Sequence, residues 1–235
     1  MNGITVGLIE FNTSYLTEVA ILSASDNAGI DHNMVLIVNS KNSYQAINQD
    51  ARRIAGDPVI NAKNVGYTKA ANQIINRVPG NDVVLLNTDT ICHKDWLVSL
   101  RDAAYSRKDI KIGMACPRLI ETFSRHRARG CAHADSGCRG VHGPGIWYFC
   151  GWFGFACAYL RRDMISNIGI LKEKYFNYGS DKEYGIRAAA AGYHTAHTHG
   201  SIIRHLVQGS QKRNRRWLGQ DARLSQRVLS QRQPR

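Results

Sequence analysis

At 235 residues the chain is long enough for one complete α/β domain with a substantial core, and short for two. A hydrophobic fraction of 43% with only 5 prolines excludes general disorder. The formal charge of +13 points to polyanionic or anionic-surface partners.

In chain order, Ile4 to Ile9 (ITVGLI) and Met34 to Val38 (MVLIV) are short apolar runs suited to buried parallel strands. Between them Tyr15, Leu16, Val19, Leu22 and Ser23 recur at helical spacing, which predicts strand, helix, strand. A helix over Tyr44 to Ile54, a short strand at Pro58 to Ile60 and a helix over Tyr67 to Val78 follow. Asp82 to Leu86 (DVVLL) is the clearest strand, ending at Asn87-Thr88-Asp89-Thr90. Trp96, Leu97, Leu100 and Ala104 make the next helical face, and Ile110 to Ala115 another strand. This alternation predicts an α/β fold with a mostly parallel central sheet covered by helices on both faces.

Residues 117 to 150 carry Gly, His and Arg without periodicity and predict a long functional loop region. Order returns at Ala156 to Arg162 and in a helix from Asp181 to Ala191. With no internal repeat and no linker, the expectation is one domain over 1–208 and a basic tail over 209–235.

Gly145 to Leu160 (GIWYFCGWFGFACAYL) is uncharged but glycine-broken and shorter than the roughly 20 apolar residues a span needs. It reads as buried structure beside a site, with a membrane-surface contact as the alternative. Its aromatics Trp147, Tyr148, Phe149, Trp152 and Phe155 read as core, with stacking on a sugar or base left open. Met1 to Glu10 shows no basic segment leading into an apolar stretch with a cleavage site, so the expected location is cytoplasmic, the host cytoplasm for a viral protein.

Six cysteines then read as thiols or metal ligands rather than a disulfide framework. Cys131, His133, Cys138 and His142 form a set able to close a tetrahedral structural zinc site, although their spacing matches no common finger. The plain alternative is a loop with ordinary thiols and imidazoles. The charge is uneven. From Ser201 onward nine Arg or Lys face Asp221 alone, and Arg125, Arg127, Arg129 and Arg139 cluster in the glycine-rich middle.

In an open α/β sheet, ligands bind beyond the carboxyl ends of the strands. Asn12, Asn39, Asn64 and Asn87-Thr88-Asp89 fall at such ends. A carboxylate there is a hard-oxygen ligand for Mg2+ or Mn2+, and equally a turn or helix-cap residue.

The ordered motifs Asn64 to Asn72 (NVGYTKAAN), Leu85 to Thr90 (LLNTDT), Tyr175 to Arg187 (YFNYGSDKEYGIR), Ala191 to Tyr193 (AGY) and Ile202 to His205 (IIRH) carry more. Over Ile4 to Gln208 the chain resembles family-two inverting glycosyltransferases of the GT-A, Rossmann-like fold, and rhamnosyltransferase-like members most of all. The resemblance implies that Asp89 and His205 hold Mn2+ or Mg2+ and that Asp181 is the catalytic base. It implies that Ile9, Glu10, Asn12 and Asn39 meet the nucleoside of a uridine- or thymidine-type donor. Asn64, Gly66 and Asn72 would line the diphosphate-sugar pocket beside Asn87 and Thr88. Three positions differ from the family pattern: Asn87 stands in place of the first acidic residue, as is common in rhamnosyltransferase-like members, Ser180 stands where an acidic residue is usual, and Asn39 replaces a common aspartate. The mechanism fits general-base activation of an acceptor hydroxyl opposite a departing diphosphate.

Charge favours a polyanionic acceptor, the sharpest version being a hydroxylated base in DNA, as in phage-type DNA-modifying members. The alternatives are a lipid-linked or cell-surface saccharide, with the tail held at an anionic membrane, and an inactive nucleic-acid-binding module on the same fold.

Overall fold

The computed structural model describes residues 2–40, 44–121 and 145–206. Period-two alternation decides how its strands are used. In β1 (Ile4–Glu10), Ile4, Val6 and Leu8 enter one core cluster, whereas Ile9 packs against a second. β2 (Asn33–Val38) divides Leu36 and Val38 from Val35 and Ile37, and β4 (Asp82–Leu86) divides Val84 and Leu86 from Val83 and Leu85. Strands apolar on both faces need a helical layer on each.

One layer consists of α1 (Ser14–Asp26), α2 (Gln49–Ala55) and α4 (Trp96–Ala104), whose buried residues join the first cluster. The other consists of α3 (Tyr67–Arg77), α5 (Arg162–Ile168) and α6 (Ser180–Ala190), which join the second. Fully buried Trp96 ties α4 to α1 by donating its indole N–H to the Ala24 carbonyl at 3.0 Å.

The remaining strands are β3 (Val59–Ile60), β5 (Thr90–Cys92), β6 (Ile112–Glu121), β7 (Ile146–Phe149), β8 (Cys157–Leu160) and β9 (His194–His205). The sheet runs β3-β2-β1-β4-β8-β6-β9-β5, with β7 paired to β9. The pairs β3-β2, β2-β1, β1-β4 and β6-β9 are parallel. Antiparallel β8 separates the two parallel parts, and β5 and β7 add antiparallel edges to β9.

Several elements differ from the sequence expectation. The helix expected over Tyr44 to Ile54 is a 3-10 turn at Tyr44–Ala46 followed by α2, because the Asn48 side chain accepts from Ala51 N at 2.8 Å and starts a new helix. The strand expected at 110–115 begins at Ile112 and runs to Glu121, into the stretch read as irregular, and β7 occupies 146–149. Ala156 to Arg162 resolves into β8 and the start of α5. Neither β5 nor β9 was expected. No helix among the described residues is long and apolar enough to cross a membrane. The zinc candidates Cys131, His133, Cys138 and His142, the arginine cluster at 125–139 and the basic tail lie outside the described residues. Among those described, Cys92, Cys116, Cys150 and Cys157 form no disulfide.

Candidate active site

Because β1, β2 and β4 are parallel neighbours in register, their carboxyl ends open on one edge of the sheet. A cleft of about 300 Å³ lies there, at the lower end of volumes usual for small-molecule sites. β1 contributes Ile9, and the turn after it Phe11 and Thr13. Asn39 follows β2, Asn64 lies in the loop before α3 and Tyr67 opens that helix, and Asn87, Thr88 and Asp89 follow β4. The far wall is Gly154, Phe155 and Ala156 before β8, with Asn177, Tyr178, Ser180 and Asp181 at the start of α6 and His205 at the end of β9.

Asp89 and His205 are separated by 116 residues in sequence yet meet through β5. Thr90 stands opposite His205 in the antiparallel β5-β9 pair, and Leu206 N donates to the Asp89 carbonyl at 2.8 Å. This register brings His205 Nε2 to 3.2 Å from Asp89 Oδ1, with both side chains largely but not fully buried. Thr90 Oγ1 donates to the Asn87 carbonyl at 2.6 Å and Asn87 N donates to the Ala156 carbonyl at 2.9 Å, so the Asn87-Thr88-Asp89 turn is fixed from both sides.

One carboxylate and one imidazole on rigid strand ends suit a hard or borderline divalent cation. No cluster of three or more His, Cys, Asp or Glu able to hold a metal occurs among the described residues.

Asp181 sits in the first turn of α6, following Gly179, whose φ of 86° gives the left-handed entry to the helix. Its Oδ1 accepts from Lys182 N at 2.8 Å. Burial pushes its pKa above the ordinary carboxylate range, opposed by backbone N–H donors of Lys182, Asp181, Phe155 and Gly179. A carboxylate whose pKa is raised by burial is, when ionised, a stronger base than a solvated one, which suits proton abstraction. Beside it Tyr67 donates to the Phe155 carbonyl at 3.3 Å, and burial first, then the Asp181 charge, pushes its hydroxyl pKa far up. Tyr67 therefore stays a neutral donor.

The segment leading to Asp181 is docked on the start of α3. Tyr67 N donates to Asn177 Oδ1 at 3.1 Å and Thr68 N to the Phe176 carbonyl at 3.3 Å. Gly66 makes this possible: a Cβ there would lie 2.5 Å from the Phe176 oxygen.

Of the residues singled out in the sequence, Ile9, Asn39, Asn64, Asn87, Thr88, Asp89, Asp181 and His205 line this cleft together. Four do not. Glu10 is buried behind it, accepting from Thr13 N at 2.8 Å and so holding the start of α1. Asn12 is exposed in the turn, with a φ of 56° that asparagine tolerates better than most residues. Gly66 supports the cleft from below, its N–H donating to Asn64 Oδ1 at 2.9 Å. Asn72 is 1% exposed and bridges away from the cleft, donating to the Leu171 carbonyl at 2.9 Å and accepting from Leu171 N at 3.0 Å. Phe11, Thr13, Tyr67, Asn177 and Tyr178 were not singled out. Of these, Tyr67 and the Asn177-Tyr178 pair stood inside the quoted motifs, whereas Phe11 and Thr13 carried no signal beyond following a strand. Among the aromatics, Phe155 lines the cleft and packs on Phe153 at 5.2 Å, while Trp147 stacks on His197 at 4.8 Å.

Neither a protein-family model nor a curated protein sequence matches the chain. Solved structures do. The chain is similar to GalNAc-T7 with UDP, GalNAc and Mn2+ at a TM-score of 0.70 and 12% identity, over 96% of this chain and 48% of that one. It is similar to the mannosyltransferase PcManGT from Pyrobaculum calidifontis, with GDP-Man and Mn2+, at a TM-score of 0.65 and 14% identity over 100% and 65%. TarS of S. aureus, residues 1–349, matches at 0.62 and 12% over 87% and 60%. The fold is the GT-A fold of glycosyltransferases. The chain spans about half to two thirds of the length of these proteins.

Proposed function

We propose that the chain is a metal-dependent inverting glycosyltransferase that moves a sugar from a nucleoside-diphosphate donor to an acceptor hydroxyl. The observation that carries this reading is the meeting of Asp89, His205 and Asp181 in one cleft beyond the parallel strands. Two of the similar structures hold a nucleotide or nucleotide sugar with Mn2+, which supports the same use of this fold.

In this reading Ile9, Phe11 and Asn39 form the nucleoside side of the cleft, and Asn64, Asn87, Thr88 and Asp89 the diphosphate-sugar side. Mn2+ or Mg2+ held by Asp89 and His205 would supply Lewis-acid neutralisation of the diphosphate charge. Asp181 accepts the acceptor hydroxyl proton as the oxygen bonds to the anomeric carbon. The bond from that carbon to the diphosphate oxygen breaks and the diphosphate leaves with the electron pair. Attack from the face opposite the leaving group inverts the anomeric configuration. Phe155 and Tyr67 shield the reacting centre and hold the Asp181 side of the cleft in place.

The charge of +13 supports a polyanionic acceptor, with a hydroxylated base in DNA the specific form of the proposal. The same charge would hold the protein at an anionic membrane beside a lipid-linked or cell-surface saccharide. The test is transfer from a panel of nucleoside-diphosphate sugars with Mn2+, onto hydroxylated duplex DNA and onto lipid-linked saccharides. Transfer that disappears in Asp181→Asn supports the reading. Absence of transfer or donor hydrolysis with every donor, together with salt-sensitive DNA binding, would favour an inactive nucleic-acid-binding module instead.

A further inference from the structure

Lys182 and Trp152 form a cation–π pair next to the cleft, with Lys182 Nζ 5.1 Å from the centre of the indole ring. Each adjoins a residue that lines the cleft: Lys182 follows Asp181, and Trp152 stands two residues before Gly154. Backbone packing fixes the side of α6 on which they meet. A Cβ at Gly185 would lie 2.6 Å from Trp152 Cα and 2.8 Å from the Gly151 carbonyl oxygen, so the 151–152 segment rests directly on the helix there. Gly185 is four residues beyond Asp181, on the same helix face and about 6 Å further along the axis. Lys182, three residues before Gly185, neighbours the same point. The pair therefore stands beside Asp181.

The charge on Lys182 differs from those around it. Lys172 and Arg187 both pair with Glu183, at 2.8 and 3.0 Å, and that carboxylate neutralises part of their charge. Among the described residues Lys182 meets no carboxylate, only the indole face. Both Lys182 and Trp152 are half-buried, so the ammonium is steadied by the ring yet still reaches solvent. A lysine already held in one place loses less side-chain freedom when it takes a ligand, which turns a diffuse positive charge into a placed one. An ammonium is a compact point charge, and phosphate oxygens are its usual partners.

We infer that Lys182 is a specificity-determining residue for the acceptor, taking a phosphate carried next to the hydroxyl that Asp181 deprotonates, and that Trp152 is the residue that positions it. The inference rests on the glycosyltransferase reading and adds an acceptor class to it. For the nucleic-acid acceptor favoured by the charge of +13, that phosphate is a backbone phosphodiester flanking the hydroxylated base. The diphosphate of a lipid-linked saccharide offers the same chemistry from another source, and the experiment separates the two.

The test uses a panel of nucleoside-diphosphate sugars with Mn2+ and three acceptors. Two are trinucleotides with a central hydroxymethylated pyrimidine, one with phosphodiester links and one with uncharged methylphosphonate links; the third is a polyprenyl-diphosphate saccharide. The readout is the ratio of kcat/KM for the phosphodiester over the methylphosphonate trinucleotide. The net charge of the protein favours the phosphodiester in every variant, so the inference stands on how the ratio changes. Losing a charge-assisted contact in Lys182→Met lowers it about tenfold, whereas Lys182→Arg keeps it. Losing the ring in Trp152→Leu lowers it about threefold, and Trp152→Phe restores most of it. Lys174→Met is the matched control, since Lys174 also lies over an aromatic ring, that of Tyr175 at 5.3 Å, and it leaves the ratio unchanged. A general loss of stability lowers both rates and not their ratio. An unchanged ratio in Lys182→Met, an equal fall in Lys174→Met, transfer to the lipid-linked saccharide alone, or donor hydrolysis without transfer to any acceptor would overturn the inference and leave the glycosyltransferase reading standing. Absence of both transfer and donor hydrolysis with every donor would overturn both.

Discussion

Replacing Gly66 by alanine places a Cβ 2.5 Å from the Phe176 carbonyl oxygen and 2.8 Å from the Phe176 ring, in a backbone conformation with φ 85° and ψ 166°. Only glycine occupies that region readily, and another residue there costs about 1–3 kcal/mol. The clash is with backbone, so the 175–178 segment must move, adding about 1–3 kcal/mol of overpacking. Gly56 is the matched control: its φ of 64° and ψ of −151° fall in the same glycine-only region, but nothing lies within 4 Å of its Cβ position. Gly56→Ala therefore carries the backbone cost alone. Thermal unfolding of the two variants side by side is expected to show Gly66→Ala melting lower than Gly56→Ala. At about 2–4 °C per kcal/mol for a chain of this size, the gap is at least about 2 °C. Gly66→Ala should also weaken nucleotide binding, since Asn64 and the Asn177 contact depend on it, whereas Gly56→Ala should not. Equal melting temperatures would refute the claim that Gly66 is where α3 meets the segment carrying Asp181.

Asp181→Asn is expected to lower turnover by about 10²- to 10⁴-fold in a donor and acceptor assay while leaving stability at neutral pH unchanged or raised. The sign follows from the raised pKa: the folded state binds the proton more tightly than the unfolded one, so stability falls as pH rises between the unfolded and folded pKa values, and the cost is fully present above both. Asparagine removes that cost, and calorimetric melting at pH 7 measures it. The wild-type acid limb of kcat/KM should lie above the usual carboxylate value of about 4, for the same reason. Tyr159→Phe removes a donor to buried Asp82 Oδ2 at 2.7 Å, at the end of β4 opposite the cleft. It should cost about 1.5–3 kcal/mol in denaturant unfolding with nucleotide affinity unchanged.

Much of the first half of the fold was legible because its strands are buried on both faces and so read as continuous apolar runs, DVVLL at 82–86 above all. β9 was not. Its buried positions are mostly polar, Thr195, His197, Thr198 and Ser201 beside Ala196 and Ile203, which leaves no hydrophobic period to read. Missing β9 also hid β5, a three-residue strand that exists by pairing with it. The site shows the same division. Asp89, Asp181 and His205 were legible through ordered motifs, but motif membership did not separate Asn64, which faces the cleft, from Asn72, which clamps the 171–173 segment behind it. That distinction depends on the loop before α3 opening on the cleft while Asn72, within α3, faces the 171–173 segment, which local sequence does not encode.

The most direct measurement is the melting temperature of the chain with nucleoside-diphosphate sugars, with and without Mn2+, in the wild type and in Asp89→Ala. A ligand that binds the native state at one hundred times its Kd stabilises it by about 2.7 kcal/mol, a readily measured shift. A rise that needs both nucleotide sugar and Mn2+, and that disappears in Asp89→Ala, is the expected result. A rise independent of the metal, or one that survives in Asp89→Ala, would contradict the assignment of Asp89 and His205 as the ligands of a cation that holds the donor diphosphate.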